Sequence, residues 1–486
     1  MVDRRHLAKG LAFAFLAGAW TEPELVARAL DALGDGPSGA AGIRWLRLLA
    51  QRAMRVFPAA PTGRDDELVE LLAEVMRVWS PEDDEREGED EEEEGEGAAA
   101  TGGPPAPALP PPGGEAEKEP QLPPPRGEDL RIRRWLIPEA TMVSVEGRPA
   151  RFCVFPIPSP GDLADTLGLS QGELAWFADE RRMNASRADA KLSHYHHRWI
   201  AKARGGHRLL EEPKPRLKQR QRWLVDNVLR PIPPSEVAHG FVPGHSVRTF
   251  VAPHVGRAVV LRMDLEDFFA SVSRARVAAT FRRVGYPRRV AAALAGLTTA
   301  PTPEGVLAAH PRDGVDLAQR FLTNARLRDA HLPQGAPTSP ALANLAAWRL
   351  DRRLNGLADG FGARMTRYAD DLAFSGDEAF GRSLRFFIAR VAAIAMEEGF
   401  RVNHRKTRVM RQGSRQQLCG VIVNDTTNLP RRERDRLRAT LFNVGRFGVE
   451  SQNREGRSDL RRHLEGRVAW AASLNPRFGA RLRKLS

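Results

Sequence analysis

Tyr368-Ala369-Asp370-Asp371 lies between two short runs with the residue types of strands, Arg364-Met365-Thr366-Arg367 before it and Leu372-Ala373-Phe374-Ser375 after it. The pattern predicts a hairpin with two adjacent aspartates at its tip. Carboxylates that close repel and raise each other's pKa unless a cation lies between them. A hard divalent ion is the usual cation for oxygen ligands alone. Asp264 ends another apolar run, Ala258-Val259-Val260-Leu261-Arg262-Met263, 104 residues before Tyr368. It offers a third ligand if the fold lays its strand beside the hairpin.

The chain has 486 residues, enough for two or three domains, and a formal charge of +13. Residues 82–96 hold twelve acids and one Arg, so the remainder carries 73 basic against 49 acidic residues, or +24. A basic body of this size points to a polyanionic partner, most simply RNA or DNA. Cys153 and Cys419 are the only cysteines, which excludes a disulfide framework and a Cys-based zinc site. The N-terminus lacks the pattern of a secretory signal, and no apolar stretch is long enough to span a bilayer. The expectation is a cytoplasmic protein without a membrane partner.

Residues 1–80 have apolar positions at helical spacing and read as a helical extension; 81–128, acidic and then Ala/Gly/Pro-rich, reads as a disordered linker. Beyond about 160 the pattern is globular. A helix is expected over Leu163 to Phe177. A strand at His194–Ile200 turns at Gly205-Gly206 and returns through Arg208-Leu209-Leu210. Another helix starts at Leu217, and Leu265-Glu266-Asp267-Phe268-Phe269 reads as a turn into a helix. His194, His196 and His197 read as strand residues facing alternate sides, not as a zinc site. Helices and strands mix without regular alternation, which favours an α+β fold. Leu332-Pro333-Gln334-Gly335-Ala336-Pro337-Thr338-Ser339-Pro340 is an irregular loop entering a helix near Ala341.

The ordered set Asp264-x-x-x-Phe268-Phe269, Gln334-Gly335-x-x-x-Ser339-Pro340, Tyr368-Ala369-Asp370-Asp371 and Asn403-x-x-Lys406-Thr407 resembles the successive motifs of reverse transcriptases. The resemblance covers about 190 to 430 and implies a right-hand polymerase: fingers and palm over 160–430, and a basic helical thumb over 431–486. It implies that Asp264, Asp370 and Asp371 are catalytic and hold two Mg²⁺ ions, with Mn²⁺ as a substitute. Phe269 matches the side chain that blocks a ribose 2′-OH and so selects dNTPs; core packing is the alternative role for one of Phe268 and Phe269. Lys202 and Arg208 match fingertip cations on the triphosphate, and Gln334 and Gly335 match contacts to the incoming nucleotide. Lys406 matches a positive group near the leaving phosphates, and Leu418-Cys419-Gly420-Val421 a primer-gripping strand and turn.

Within that family the chain looks most like a bacterial retron enzyme. Lys202 to Leu224 and Gly240-Phe241-Val242-Pro243-Gly244-His245-Ser246 carry this likeness. An Asn-Ala-x-x-His element is kept only in His254, and a Val-Thr-Gly element appears as Leu418-Cys419-Gly420. The likeness implies a cognate structured RNA, copied in part into branched multicopy single-stranded DNA, and a role in antiphage defence beside an effector protein. Arg431, Arg432, Arg434, Arg438 and Arg467, on two helices starting near Pro430 and Asp459, would face that RNA, since A-form RNA is read mainly by shape and backbone. The alternatives are a group II intron-like or other bacterial reverse transcriptase, and a catalytically inactive palm that only holds RNA. About 60 residues follow Asn424, too few for the extra domains of an intron protein.

Overall fold

The computed structural model describes residues 4–34, 40–61, 64–76, 130–136, 152, 154–181, 183, 192–202, 205–312 and 317–485. The expected linker, 81–128, lies outside the described residues. The chain divides into one unit of residues 1–150 with 285–288, and another of 151–284 with 289–486.

Among the described residues the first unit holds α1 (Arg4–Leu16), α2 (Glu22–Leu33), α3 (Ala40–Val56) and α4 (Asp65–Val75). Pro23 and the acids Glu22 and Glu24 start α2, where a missing N–H costs nothing and negative charge meets the helix dipole. Leu11, Phe15, Leu25, Leu46, Leu49, Leu68 and Leu72 share one core, and Leu130 joins it. The amides of Arg133 and Arg134 both donate to the carbonyl of Ala32. Residues 130–136 therefore pack on this helical unit.

The second unit opens with α5 (Pro160–Leu167) and α6 (Gln171–Phe177). These replace the single helix expected there. Gly168 ends the first at a left-handed φ of 60°, and Ser170 starts the second through a capping box with Glu173. Strands β1 (Tyr195–Ala201) and β2 (His207–Pro213) form an antiparallel hairpin, from Tyr195 opposite Pro213 to Ala201 opposite His207. Next come α7 (Pro215–Leu224), continued by a π-helical turn Val225–Leu229, then α8 (Val247–Val251) and β3 (Val259–Asp264). The turn into a helix expected after Asp264 is present: 266–271 are turns and the helix starts at Arg274. That helix is α9 (Arg274–Val284), followed by α10 (Arg288–Thr298), α11 (Glu304–Ala308), α12 (Leu317–Arg328), α13 (Ser339–Ala346) and α14 (Trp348–Gly360). The remainder is β4 (Arg364–Tyr368), β5 (Asp371–Gly376), α15 (Glu378–Glu397), β6 (Arg408–Arg411), β7 (Gln417–Leu418), β8 (Val421–Ile422), α16 (Arg431–Phe447), α17 (Leu460–Leu474) and α18 (Pro476–Arg483).

One antiparallel sheet, in the order β4-β5-β3-β6, organises this unit. Its β3 is covered on both faces, in keeping with the buried Val259, Val260, Leu261 and Met263. Successive strand residues point to opposite faces: Val259 meets Gly381 of α15, and Val260 joins the core of Phe250, Leu418, Val421, Leu437 and Leu464. That core ties the sheet to α16 and α17. Asp459 and Asn475 cap α17 and α18 by accepting from the amides of Arg462 and Phe478. Among the described residues no helix is long and apolar enough to cross a membrane.

Candidate active site

The sheet register sets Asp264, the last residue of β3, opposite Asp371, the first of β5. Asp370 is in the turn between β4 and β5, and its carbonyl accepts the amide of Leu265 at 2.9 Å. The backbone thus lays the three acids side by side. The side chains of Asp264 and Asp371 are turned to cations. Lys406 Nζ lies 2.8 and 3.1 Å from the two oxygens of Asp264, and Arg262 donates to Asp371 Oδ1 at 2.6 and 2.9 Å. The Cys419 thiol lies 3.4 Å from Asp371 Oδ2. As they stand, no three His, Cys, Asp or Glu among the described residues could together hold a metal ion.

The electrostatics still call for more positive charge. Burial, and then the charges of Asp264 and Asp371, push the Asp370 carboxyl up to about 6. Burial also raises Asp264, against the pull of Lys406. Three oxygen-donor side chains with two of them held above the ordinary range fit a hard divalent cation, and no soft ligand competes among them. Cys419 is no exception, since burial and the Asp371 charge keep its thiol protonated, with a pKa of about 12.

The hairpin tip is held from below. Ala369 has a left-handed φ of 55°, seldom adopted by a non-glycine residue. Beneath it the fully buried Arg367 donates to Ala369 O at 3.1 Å, to Asn344 Oδ1 at 2.9 Å, and to both oxygens of buried Asp351 at 2.6 and 2.7 Å. Asn344 in turn donates to the carbonyl of Gly240 at 2.8 Å. A Cβ on Gly240 would stand 2.5 Å from the amide nitrogen of Ala369 and 3.1 Å from the carbonyl carbon of Tyr368. Gly240→Ala should therefore displace the tip and lower DNA synthesis by about 100-fold, the scale of a 1 Å misplacement. Primer extension and RNA binding measured together check this; full activity in the variant would show that the tip yields without consequence.

The loop 332–340 is bound to β2. The buried Glu211 accepts from Thr302 Oγ1 at 2.9 Å and from His331 Nε2 at 2.9 Å, and its amide donates to Gln334 O at 2.9 Å. The Glu211 charge overcomes burial and raises His331, while His331 lowers Glu211. Gly335 has φ +139°, and a Cβ there would lie 2.8 Å from Glu211 O. Glycine here allows close approach of two backbones. Lys202 and Arg208 stand exposed on either side of the Gly205-Gly206 turn. Phe268 is buried and stacks on Phe400, whereas Phe269 is half-buried with Phe241 as its outer neighbour. Packing thus separates the two rings.

His254 has a plain structural role. Its Nδ1 is 2.7 Å from Ser375 Oγ and its Nε2 2.7 Å from Thr366 Oγ1, so it links β4 to β5. Thr366 already donates to Phe250 O, so His254 Nε2 carries the proton. Burial holds this ring neutral, at about 3. On α16, Arg431, Arg432 and Arg438 are exposed, and Arg434 is half-buried over the ring of Phe478. Arg467 of α17 lies 3.8 Å from Glu433. The last two arginines thus each have a partner within the helical layer, Phe478 for Arg434 and the exposed Glu433 for Arg467.

The family model for reverse transcriptase (RNA-dependent DNA polymerase) matches residues 200–429. The retron Mx65 reverse transcriptase of Myxococcus xanthus is 44% identical over 321 residues, 66% of this chain and 69% of the relative. The chain belongs to the retron reverse transcriptases. It is of the myxobacterial type and an RNA-directed DNA polymerase. The retron Mx162 reverse transcriptase of the same organism is 36% identical, over 65% of this chain and 64% of that enzyme. Among solved structures, telomerase from Candida albicans aligns over 57% of this chain and 54% of that chain, with 10% identity and a TM-score of 0.34.

Proposed function

We propose that this retron reverse transcriptase copies part of a cognate structured RNA into branched multicopy single-stranded DNA, for antiphage defence with an effector protein. The observation that carries the chemistry is the pairing of Asp264 with Asp371 across β3 and β5, with Asp370 in the adjoining turn. In this reading the sheet is the palm, the β1–β2 hairpin belongs to the fingers and α16–α18 form the thumb. Asp264, Asp370 and Asp371 would hold two Mg²⁺ ions, with Mn²⁺ able to substitute. When bound, the ions lower the pKa of the primer hydroxyl and neutralise the leaving pyrophosphate. Lys406 and Arg262 offset the carboxylate charge, and Lys406 would meet the leaving phosphates. Lys202 and Arg208 would take the triphosphate, Gln334 and Gly335 the base pair being formed, and Phe269 the sugar.

The thumb reading rests on charge and exposed rings. Arg431, Arg432 and Arg438 meet phosphates, while Phe442, Phe447 and Trp470 are exposed on the same pair of helices and offer faces for unpaired bases. Arg434 and Arg467 would add to this surface by exchanging internal partners for phosphate. The test is to express the gene with its flanking DNA and extract nucleic acid. A DNA joined to RNA through a branch, shortened by RNase, is expected; linear DNA alone would overturn the branched product while leaving the polymerase.

A further inference from the structure

Phe269 sits in a loop with little regular structure, yet it is bracketed on both sides by one helical hairpin. Two residues before it, Asp267 has φ +46°, a left-handed conformation unusual without glycine. Asp267 Oδ2 accepts from Thr323 Oγ1 at 3.1 Å and from Arg326 Nη1 at 2.9 Å, both on α12. Arg326 also lies 3.9 Å from Glu266. One residue after Phe269, Ala270 packs with Leu209, Leu307 and Leu327, and so against β2, α11 and α12. The charged contacts are about four-fifths buried, with Arg326 and Asp267 at 19% and 18% exposure, so solvent screens them little. Within the loop, hydrogen bonds from Ser271 to Asp267 and Phe268, and from Val272 to Phe269, complete a stiff turn.

We propose that Arg326 and Thr323 are positioning residues for sugar selection, holding Phe269 where it excludes a ribonucleotide. This rests on the reading of Phe269 as the gate. A gate that excludes one hydroxyl works only if the ring cannot retreat by about an ångström. Main-chain hydrogen bonds alone do not pin a left-handed residue in a turn; the Asp267 side chain does so here, and its anchors come from a helix more than fifty residues away.

The test measures kcat/KM for dGTP and GTP on a poly(rC) template primed with oligo(dG). Arg326→Met with Thr323→Val keeps side-chain volume and removes both donors. The dGTP/GTP ratio is expected to fall about tenfold, less than the ~100-fold cost of a full ångström. Phe269→Ala should lower the same ratio, and adding the α12 changes to it should lower it no further. If the double variant folds poorly, Asp267→Gly releases the tether while accepting the left-handed backbone, with the same expected fall. Equal losses for both nucleotides, leaving the ratio intact, would make α12 a mere support of the fold and overturn the inference. A wild-type ratio with an intact bracket in Phe269→Ala would remove the gate itself, and the inference with it. A fall in Phe269→Ala without one in the α12 variants would keep the gate and reject the bracket.

Discussion

Asp370→Asn should lower DNA synthesis by roughly three orders of magnitude, since metal assistance supplies several kcal/mol of the barrier and each 1.36 kcal/mol is tenfold. RNA binding should largely survive, because the helices that present Arg431, Arg432 and Arg438 do not depend on that carboxylate. The same change should stabilise the metal-free protein. Asp370 is raised from the ordinary 3.8 to about 6, chiefly by burial and then by its two acidic neighbours. A raised carboxyl pKa means the folded state binds the proton more tightly than the unfolded chain does, so stability falls as pH rises from about 4 to about 6. Above that window the full cost is present, and an amide escapes it. The gain should be on the order of 3 kcal/mol at pH 7.5 and vanish near pH 4. Denaturant unfolding in chelator at both pH values measures it. A variant less stable than the parent at pH 7.5 would show that the acids are already compensated by Lys406 and Arg262. Full DNA synthesis by the Asp370→Asn protein would remove Asp370 from the reaction.

Asp351→Ala should destabilise the protein by about 3–5 kcal/mol, the cost of leaving one member of a buried ion pair without its partner. Both Arg367 and Asp351 are fully buried, and Asp351 is the anion that the guanidinium meets among the described residues, through hydrogen bonds of 2.6 and 2.7 Å. Asn344 and the Ala369 carbonyl supply only neutral acceptors. Replacing both with leucine should recover much of the stability, since a buried pair is often matched by apolar residues of similar volume. Activity should not return, because the tip loses the donor that holds Ala369 O. Denaturation curves and primer extension on the single and paired variants separate these effects. If Asp351→Ala unfolds at the parent's midpoint, the pair contributes nothing; if the leucine pair is fully active, the tip needs no anchor from below.

Sequence spacing alone was enough for the hairpin about Asp370, the glycine turn between β1 and β2, and the strand ending at Asp264. Each depends on neighbours along the chain: apolar runs of strand length, turn residues, and two like charges that a core rejects. The same locality explains the miss. Gly168 and Ser170 break an apolar pattern that otherwise reads as one helix. The Leu-Cys-Gly-Val stretch is a short hairpin, β7 and β8, with positive φ at Cys419 and Gly420.

The sequence determined by itself which residue types would gather and what chemistry they suit, because motifs and their order are written along the chain. Only the tertiary structure decided who holds them: Asp351 under Arg367, Glu211 with His331 across 120 positions, and His254 with Thr366 across 112. A buried polar group must find a partner wherever the fold supplies one, and that partner is fixed by packing in three dimensions, not by distance along the chain.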